Sequence, residues 1–284
     1  MTQNLRIGIP SKGRLADLAG ELLKEAALNY RRPDRSLFAR CRDMPIDVTF
    51  LRTEDIPVLC NEGAIDMGLT GSDLIAEHRA DVITRLPLDI GHCRLAICVP
   101  EQGTVNKPQD LTGRRIATSF PNATQEYLDK HHTTAHLVPL SGSVEVMIAL
   151  GVADAIVDLV ETGSTLAANG LKVLDEIGHF QTVLVQNRAQ RHPELADRVV
   201  RRLEGVVIAR SYSLLEYNVP RAKLTEAERI TPGFNSPTVS ALEAADWCAV
   251  RVMVRRSEVI SIMEQLESLG ASAILETRIT NCRL

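Results

Sequence analysis

The sequence predicts an α/β protein with mostly parallel sheets, followed by a small separate domain of βαββαβ order. Three observations predict it. Apolar strand-like runs alternate with helix-periodic segments from residue 5 to about residue 170. After about Ser211 that rhythm gives way to strand, helix, two strands, helix and strand, which is the ferredoxin-like pattern. The chain has 284 residues, 45% hydrophobic and 24% charged, enough for two or three cores; with only 4% aromatics those cores are aliphatic.

In order, LRIGIP (5–10) reads as a strand and SKGR as a loop. Leu15, Leu18, Leu22, Leu23 and Ala26 follow a helical period over 15–28. MPIDVTFLR alternates into a strand ending at Arg52, and TEDIPVLCNEG starts a helix that stops at Gly63. IDMGLTG is a strand entering a glycine turn, and SDLIAEH a helix capped by Ser or Asp. CRLAICVP (93–100), RRIATSFP (114–121) and HLVPL are strands, with a helix from Asn122 through Tyr127 between the last two. SVEVMIAL is a helix capped by Ser143, DAIVDLV a strand and STLAAN a short helix. FQTVLVQN (180–187) adds a strand, and HPELADRVVRRLEGVVIARSY a long helix. In the tail, SLLEYNVP is a strand, RAKLTEAERI a helix, and TVSAL and CAVRVMVR are strands. SEVISIMEQLESLG is a helix with Ser257 as cap and Gly270 as stop, and ASAILETRI closes the domain.

The formal net charge is −4, which argues against a whole-protein nucleic-acid face. The start, MTQNLRIGIPSKGR, lacks the apolar core of a secretory signal, and no apolar run is long enough to span a bilayer. No nucleic-acid or membrane partner is therefore expected. The six cysteines never form CxxC, so buried free thiols in a reducing cytoplasm are expected. His132 and His136 have i,i+4 spacing, but the intervening threonines and the strand that follows predict a turn, not a metal site.

The chemistry concentrates in DAIVDLVETGSTL (154–166). Ligands of a parallel sheet sit outside the carboxyl ends of its strands. Asp154 and Asp158, an even number of residues apart, offer carboxylates to a ribose diol and to a magnesium ion. Thr162, Gly163, Ser164 and Thr165 then offer hydroxyls, backbone amides and a helix start to a phosphate. That combination suits phosphoribosyl pyrophosphate. Its leaving group needs positive charge, supplied by Lys12, Arg14 and Arg52 at two other strand-to-helix junctions. Gly71 and Asp73 mark a further junction, where Asp73 caps a helix or reads a base's amino group. Tyr127 could stack on a base. Glu145 lies early in its helix, a favourable place for a negative charge. No Ser–His–Asp or Cys–His set stands out.

LRIGIPSKGRL, LRTEDIP, GAIDMGLTGSDL, RIATSFPN, SGSVEVMIALGVADAIVDLVETGSTLAANGL and the tail TPGFNSPTVSAL with GASAIL together resemble the ATP phosphoribosyltransferase family, the first enzyme of histidine biosynthesis. The tail resembles the long, self-regulated form. The resemblance covers residue 5 to the C-terminus and implies a bilobed core like that of periplasmic binding proteins. Lobe I would hold 1–90 and 184–211, lobe II 91–183, and a histidine-binding regulatory domain 212–284. It implies homodimers and homohexamers, with ATP and phosphoribosyl pyrophosphate as substrates, Mg²⁺ as cofactor and histidine as inhibitor. Asp154, Ala155, Asp158, Glu161, Thr162, Gly163, Ser164, Thr165 and Leu166 would belong to the phosphoribosyl pyrophosphate segment. Gly71, Asp73, Tyr127 and Glu145 would lie near ATP, and Lys12, Arg14 and Arg52 would meet phosphate charge. Asn218, Phe234, Ser236, Thr238 and Ala273 match histidine-site positions. Asn218 stands where relatives can carry an acidic residue, and Phe234 is bulkier than the more usual Leu; both bear on the strength of inhibition.

Overall fold

The computed structural model describes residues 4–33 and 36–283. Two compact units emerge: residues up to Gly20 with Asn29–Ala196, and Glu21–Leu28 with Asp197 onward.

In the first unit, β1 (Leu5–Pro10) is buried almost throughout, as its unbroken apolar run requires. After it come α1 (Arg14–Glu25), β2 (Phe38–Arg40), β3 (Ile46–Leu51), α2 (Asp55–Asn61), β4 (Met67–Gly71), α3 (Ser72–Glu77) and β5 (Val82–Pro87). β1 pairs in parallel with β3 and β4, so the loops after all three leave from one edge. The chain then enters a second sheet: β6 (Cys93–Pro100), β7 (Arg115–Thr118), α4 (Pro121–Lys130), β8 (His136–Pro139), α5 (Val146–Ala149), β9 (Ala155–Val160), α6 (Ser164–Ala168) and β10 (Leu171–Phe180). It returns to the first sheet as β11 (Thr182–Asn187) and continues as α7 (Pro193–Ser211).

The sheet orders are β2-β3-β1-β4-β11-β5 and β10-β6-β9-β7-β8. Two lobes joined by two crossovers are the architecture of periplasmic binding proteins. The return falls at Gln181, not at 184 as expected, and FQTVLVQN is two strands in two sheets. Gln181 is pinned to the start of α3: its carbonyl accepts the Ser72 amide at 2.9 Å, and its own amide donates to Ser72 Oγ at 3.1 Å. The crossovers are also bonded to each other, by the Leu88 amide to the Thr182 carbonyl at 3.0 Å and the Thr182 amide to the Ile90 carbonyl at 2.9 Å.

Three strands escape a reading of the sequence. β2 is only three residues long. β5 buries only Leu86 well. β10 carries two register shifts that erase any period-2 pattern.

In the second unit, the sheet of β12 (Tyr212–Pro220), β13 (Thr238–Ala241), β14 (Trp247–Arg255) and β15 (Ser272–Arg278) has the order β13-β14-β12-β15. With α8 (Leu224–Ile230) and α9 (Val259–Leu269), this is the expected ferredoxin-like domain. β12 alternates strictly, with Leu215, Tyr217 and Val219 in the core. Ser257 sits in a 3₁₀ turn ahead of α9 and makes no cap bond, whereas Gly270 ends that helix in the left-handed conformation as predicted. Asp197 onward groups with the tail, not with lobe I. Arg210 binds Glu25 at 2.8 and 2.9 Å, and the Arg202 guanidinium donates to the Ala27 carbonyl at 2.9 Å.

Among the described residues no helix is long and apolar enough to cross a membrane. All six cysteines are free. His132 lies in a left-handed turn, and no group of three or more metal-ligating side chains occurs among the described residues.

Candidate active site

The parallel registers bring the loops after β1, β3 and β4 to one edge of lobe I. In lobe II, the end of β9, the end of β7 and the start of β6 share one edge, since Arg94 pairs with Val160 and Thr118 with Val157. The two edges face each other. The Arg14 guanidinium reaches the Glu161 carboxylate at 2.9 Å across the mouth, both groups well exposed.

Between them lies a cleft of about 340 Å³, with Arg14, Gly71 and Asp73 on one wall and Cys93, Phe120, Leu159 and Glu161 on the other. Asp73 is buried, and desolvation raises its carboxyl above the usual range although the amides of Asp73 and Leu74 oppose this. The cap position of this helix is Gly71, with no side-chain cap bond; Asp73 sits in its first turn, where its carboxylate meets those two amides while facing the cleft. Gly71 leaves room for it: a Cβ there would sit 2.0 Å from Asp73 Oδ1 and displace that carboxylate. Burial, with help from the Asp73 and Glu161 charges, pushes the Cys93 thiol up to about 11. A thiol so held is a poor nucleophile.

A second hollow, of about 350 Å³, is formed by Glu145 and the run Asp158–Leu166. Gly163 takes φ +78°, a conformation glycine accepts freely, and turns the chain into α6. Thr162 Oγ1 and Ser164 Oγ lie 3.0 Å apart at that turn. Burial raises the Asp158 carboxyl, its own Leu159 amide at 2.8 Å opposes the shift, and the Glu145 charge adds to it. Glu145 thus faces the Asp158–Leu166 segment and not the Gly71–Asp73 cleft in which it was expected. Lys12 and Arg52 border a third hollow, of about 560 Å³, with Thr49, Phe50 and Leu51.

Three expected site residues, Asp154, Ala155 and Tyr127, are placed elsewhere. Asp154 precedes β9 at its amino end, about 13 Å of strand away from Asp158. Its carboxylate is bound by Arg115, from the backbone amide at 2.9 Å, Nη2 at 3.0 Å and Nε at 3.3 Å, and this ion pair holds it below the usual range. It clamps β7 to the start of β9, at the opposite end of that strand from the Asp158–Leu166 hollow. Asp154→Asn is expected to lower the melting temperature at neutral pH while turnover per folded molecule is retained. The stabilisation of a depressed carboxyl is present above its unfolded value near 4 and lost as pH falls through the folded one, so the deficit should vanish in acid. Ala155 is fully buried in the lobe II core. Leu166 lines the hollow yet packs mainly into the core beneath it. Tyr127 is buried in the lobe II core, stacks on His131 at 4.2 Å and donates its hydroxyl to Asp175. It is not available to a base. Tyr127→Phe should cost about 1.5–3 kcal/mol of stability in denaturant titration, the scale of a hydrogen bond to a charged group, and leave turnover per folded molecule unchanged.

The tail positions do not converge within this chain. Asn218 pairs with Ser272 beside Ala273, which occupies a bulge with φ +49°. Thr238 lies opposite Arg251 on the edge strand. Phe234 packs on Tyr212 at 4.8 Å, toward the other end of β12, and Ser236 is exposed in the loop between. Sequence reasoning missed Thr53, Cys93, Phe120 and Leu159 as cleft residues. SFPN, read as a helix start, was the one available signal for Phe120.

A family model described as ATP phosphoribosyltransferase matches residues 52–205, and one for the C-terminal domain of the same family matches 209–281. The ATP phosphoribosyltransferase of Rhodopirellula baltica is 63% identical over 280 residues, covering 99% of this chain and 94% of the relative. That of Yarrowia lipolytica is 39% identical over 290 residues, covering 100% and 98%. Among solved structures, the ATP phosphoribosyl transferase (HisG:HisZ) complex from Thermotoga maritima superposes with a TM-score of 0.64 at 30% identity, covering 72% of this chain and 97% of that one. The chain therefore belongs to the ATP phosphoribosyltransferase family of histidine-biosynthetic enzymes, in the long form that carries the C-terminal domain.

Proposed function

We propose that the enzyme transfers the phosphoribosyl group of phosphoribosyl pyrophosphate to N1 of ATP, giving N1-(5-phosphoribosyl)-ATP and pyrophosphate. The observation that carries this reading is the apposition of a cationic loop on lobe I with the Asp158–Leu166 segment on lobe II, marked by the 2.9 Å Arg14–Glu161 pair. The lone pair of adenine N1 forms the new bond to ribose C1. The bond from C1 to the pyrophosphate oxygen breaks, and its electrons leave with pyrophosphate. N1 has a free lone pair, so no strong base is required. Positive charge developing at C1 and the ring oxygen is met by Asp158 with Glu145 beside it, while Lys12, Arg14 and Arg52 balance the leaving charge. The turn at Thr162–Thr165 suits the 5-phosphate, and the Gly71–Asp73 cleft suits the adenine.

Magnesium fits this donor set as a substrate-borne ion. Glu145 and Asp158 offer two carboxylates, and Mg²⁺ commonly combines one or two of these with phosphate oxygens and water. Bound there, it would neutralise charge on the departing pyrophosphate. We also propose that histidine inhibits through the C-terminal domain, in a cytoplasmic homodimer and homohexamer. The dispersal of Asn218, Phe234, Ser236, Thr238 and Ala273 within one chain favours a site assembled from more than one copy.

The test is an absorbance assay for N1-(5-phosphoribosyl)-ATP from ATP, phosphoribosyl pyrophosphate and Mg²⁺, with and without millimolar histidine. Product suppressed by histidine is expected. Product indifferent to histidine would remove the regulatory role, and no product from folded protein would remove the reaction.

A further inference from the structure

The two lobes are fastened at one place by a buried carboxylate. Glu77, in the last turn of α3 on lobe I, is 5% exposed. Its Oε1 accepts the backbone N–H of Asn122 at 3.0 Å and its Oε2 that of Ala123 at 3.0 Å, both in the first turn of α4 on lobe II. The Asn122 side-chain amide donates back to the Glu77 carbonyl at 3.0 Å. Leu74, one turn earlier in α3, packs against the lobe II core that holds Phe120 and Tyr127. Arg79 adds an exposed bridge to Glu126 at 2.8 and 3.1 Å.

Glu77 has no business in the chemistry, yet it joins the two cleft walls by short rigid paths. Asp73 lines the cleft from the first turn of the same helix, and Phe120 lines it from the residue just ahead of α4. By contrast, the Arg14–Glu161 pair at the mouth is a single exposed bond, which solvent makes weak.

We infer that Glu77 is a positioning residue for the nucleotide: it presets the separation of the Asp73 and Phe120 walls, leaving closure to the Arg14–Glu161 side. This rests on the reading that the cleft takes the adenine of ATP. A carboxylate is needed because both of its oxygens accept. Glutamine keeps the shape but offers one acceptor, so one buried amide of α4 would face an NH₂ group.

The experiment is steady-state kinetics of full-length E77Q, varying ATP and phosphoribosyl pyrophosphate separately, with ATP titration and thermal denaturation alongside. The KM for ATP should rise on the order of tenfold, the scale of one charge-assisted bond. The KM for phosphoribosyl pyrophosphate should stay within about twofold, because the Asp158–Leu166 segment is not tied to α3. R79A, which breaks only the exposed bridge, should move the ATP value in the same direction by about twofold, and it supplies the readout if E77Q fails to fold. Equal rises for both substrates, or a lower melting temperature with both KM values unchanged, would overturn the inference. So would an R79A ATP value at the wild-type level where E77Q does not fold. If the wild-type chain forms no product, the assigned reaction fails by itself; ATP titration then decides, and E77Q with wild-type ATP affinity would sink the strut.

Discussion

Arg52→Ala is expected to lower turnover by roughly 10²–10³, the loss that follows removal of one preorganised group facing transition-state charge, with no change in melting temperature. Arg52 leaves the carboxyl end of β3 exposed beside Lys12, and among the described residues it forms no salt bridge. Cutting it back therefore breaks no ion pair of the described residues. In the proposed reaction its charge acts when pyrophosphate departs, so kcat should fall more than the KM for either substrate rises. Stopped assays at saturating substrates, paired with thermal denaturation, check both halves. Near wild-type turnover would remove Arg52 from the reaction.

Asp158→Asn should be as damaging to activity, again roughly 10²–10³ in kcat/KM for phosphoribosyl pyrophosphate, yet it should stabilise the free protein. Burial first, and the Glu145 charge as well, raise the Asp158 carboxyl above its unfolded value near 4. A group raised in this way contributes its stability below the unfolded value and loses it as pH rises through the folded one. At neutral pH the ionised Asp158 is thus a cost of the free enzyme, one that substrate can relieve. Asparagine removes the charge, so the variant should melt higher than wild type at pH 7, with the difference gone below about pH 4. A lower melting temperature at pH 7 would show that Asp158 is held by favourable bonds, as Asp154 is. The two aspartates of one motif are expected to give opposite results: Asp154→Asn less stable and active, Asp158→Asn more stable and inactive.

That contrast marks how far the sequence could be read. DAIVDLVETGSTL showed a strand entering a hydroxyl-rich turn, and the structure keeps that turn with Asp158, Glu161 and Gly163 at the rim. The spacing of Asp154 and Asp158 is a period-2 signal. It speaks to the face of a strand and says nothing about which end lies at the cleft. That Asp154 is taken up in the fold follows from Arg115, which is 39 residues away in sequence and was given no role by any local pattern. Tyr127 failed for a related reason. An aromatic on a helix reads alike whether it faces a ligand or a core, and only the packing of α4 on β10, with Asp175 at a bulge, decides.

Alone, the sequence determined the α/β alternation, the cations at successive strand ends, the glycine stops and the βαββαβ tail, because those depend on residues within a few positions of one another. The tertiary structure decided what depends on distant partners. It moved the return crossover to Gln181, since that residue bonds to Ser72. It added edge strands whose pairing, not their composition, makes them strands. It also set a lobe I carboxylate, Glu77, on two amides of lobe II, a bond made between residues 45 and 46 positions apart.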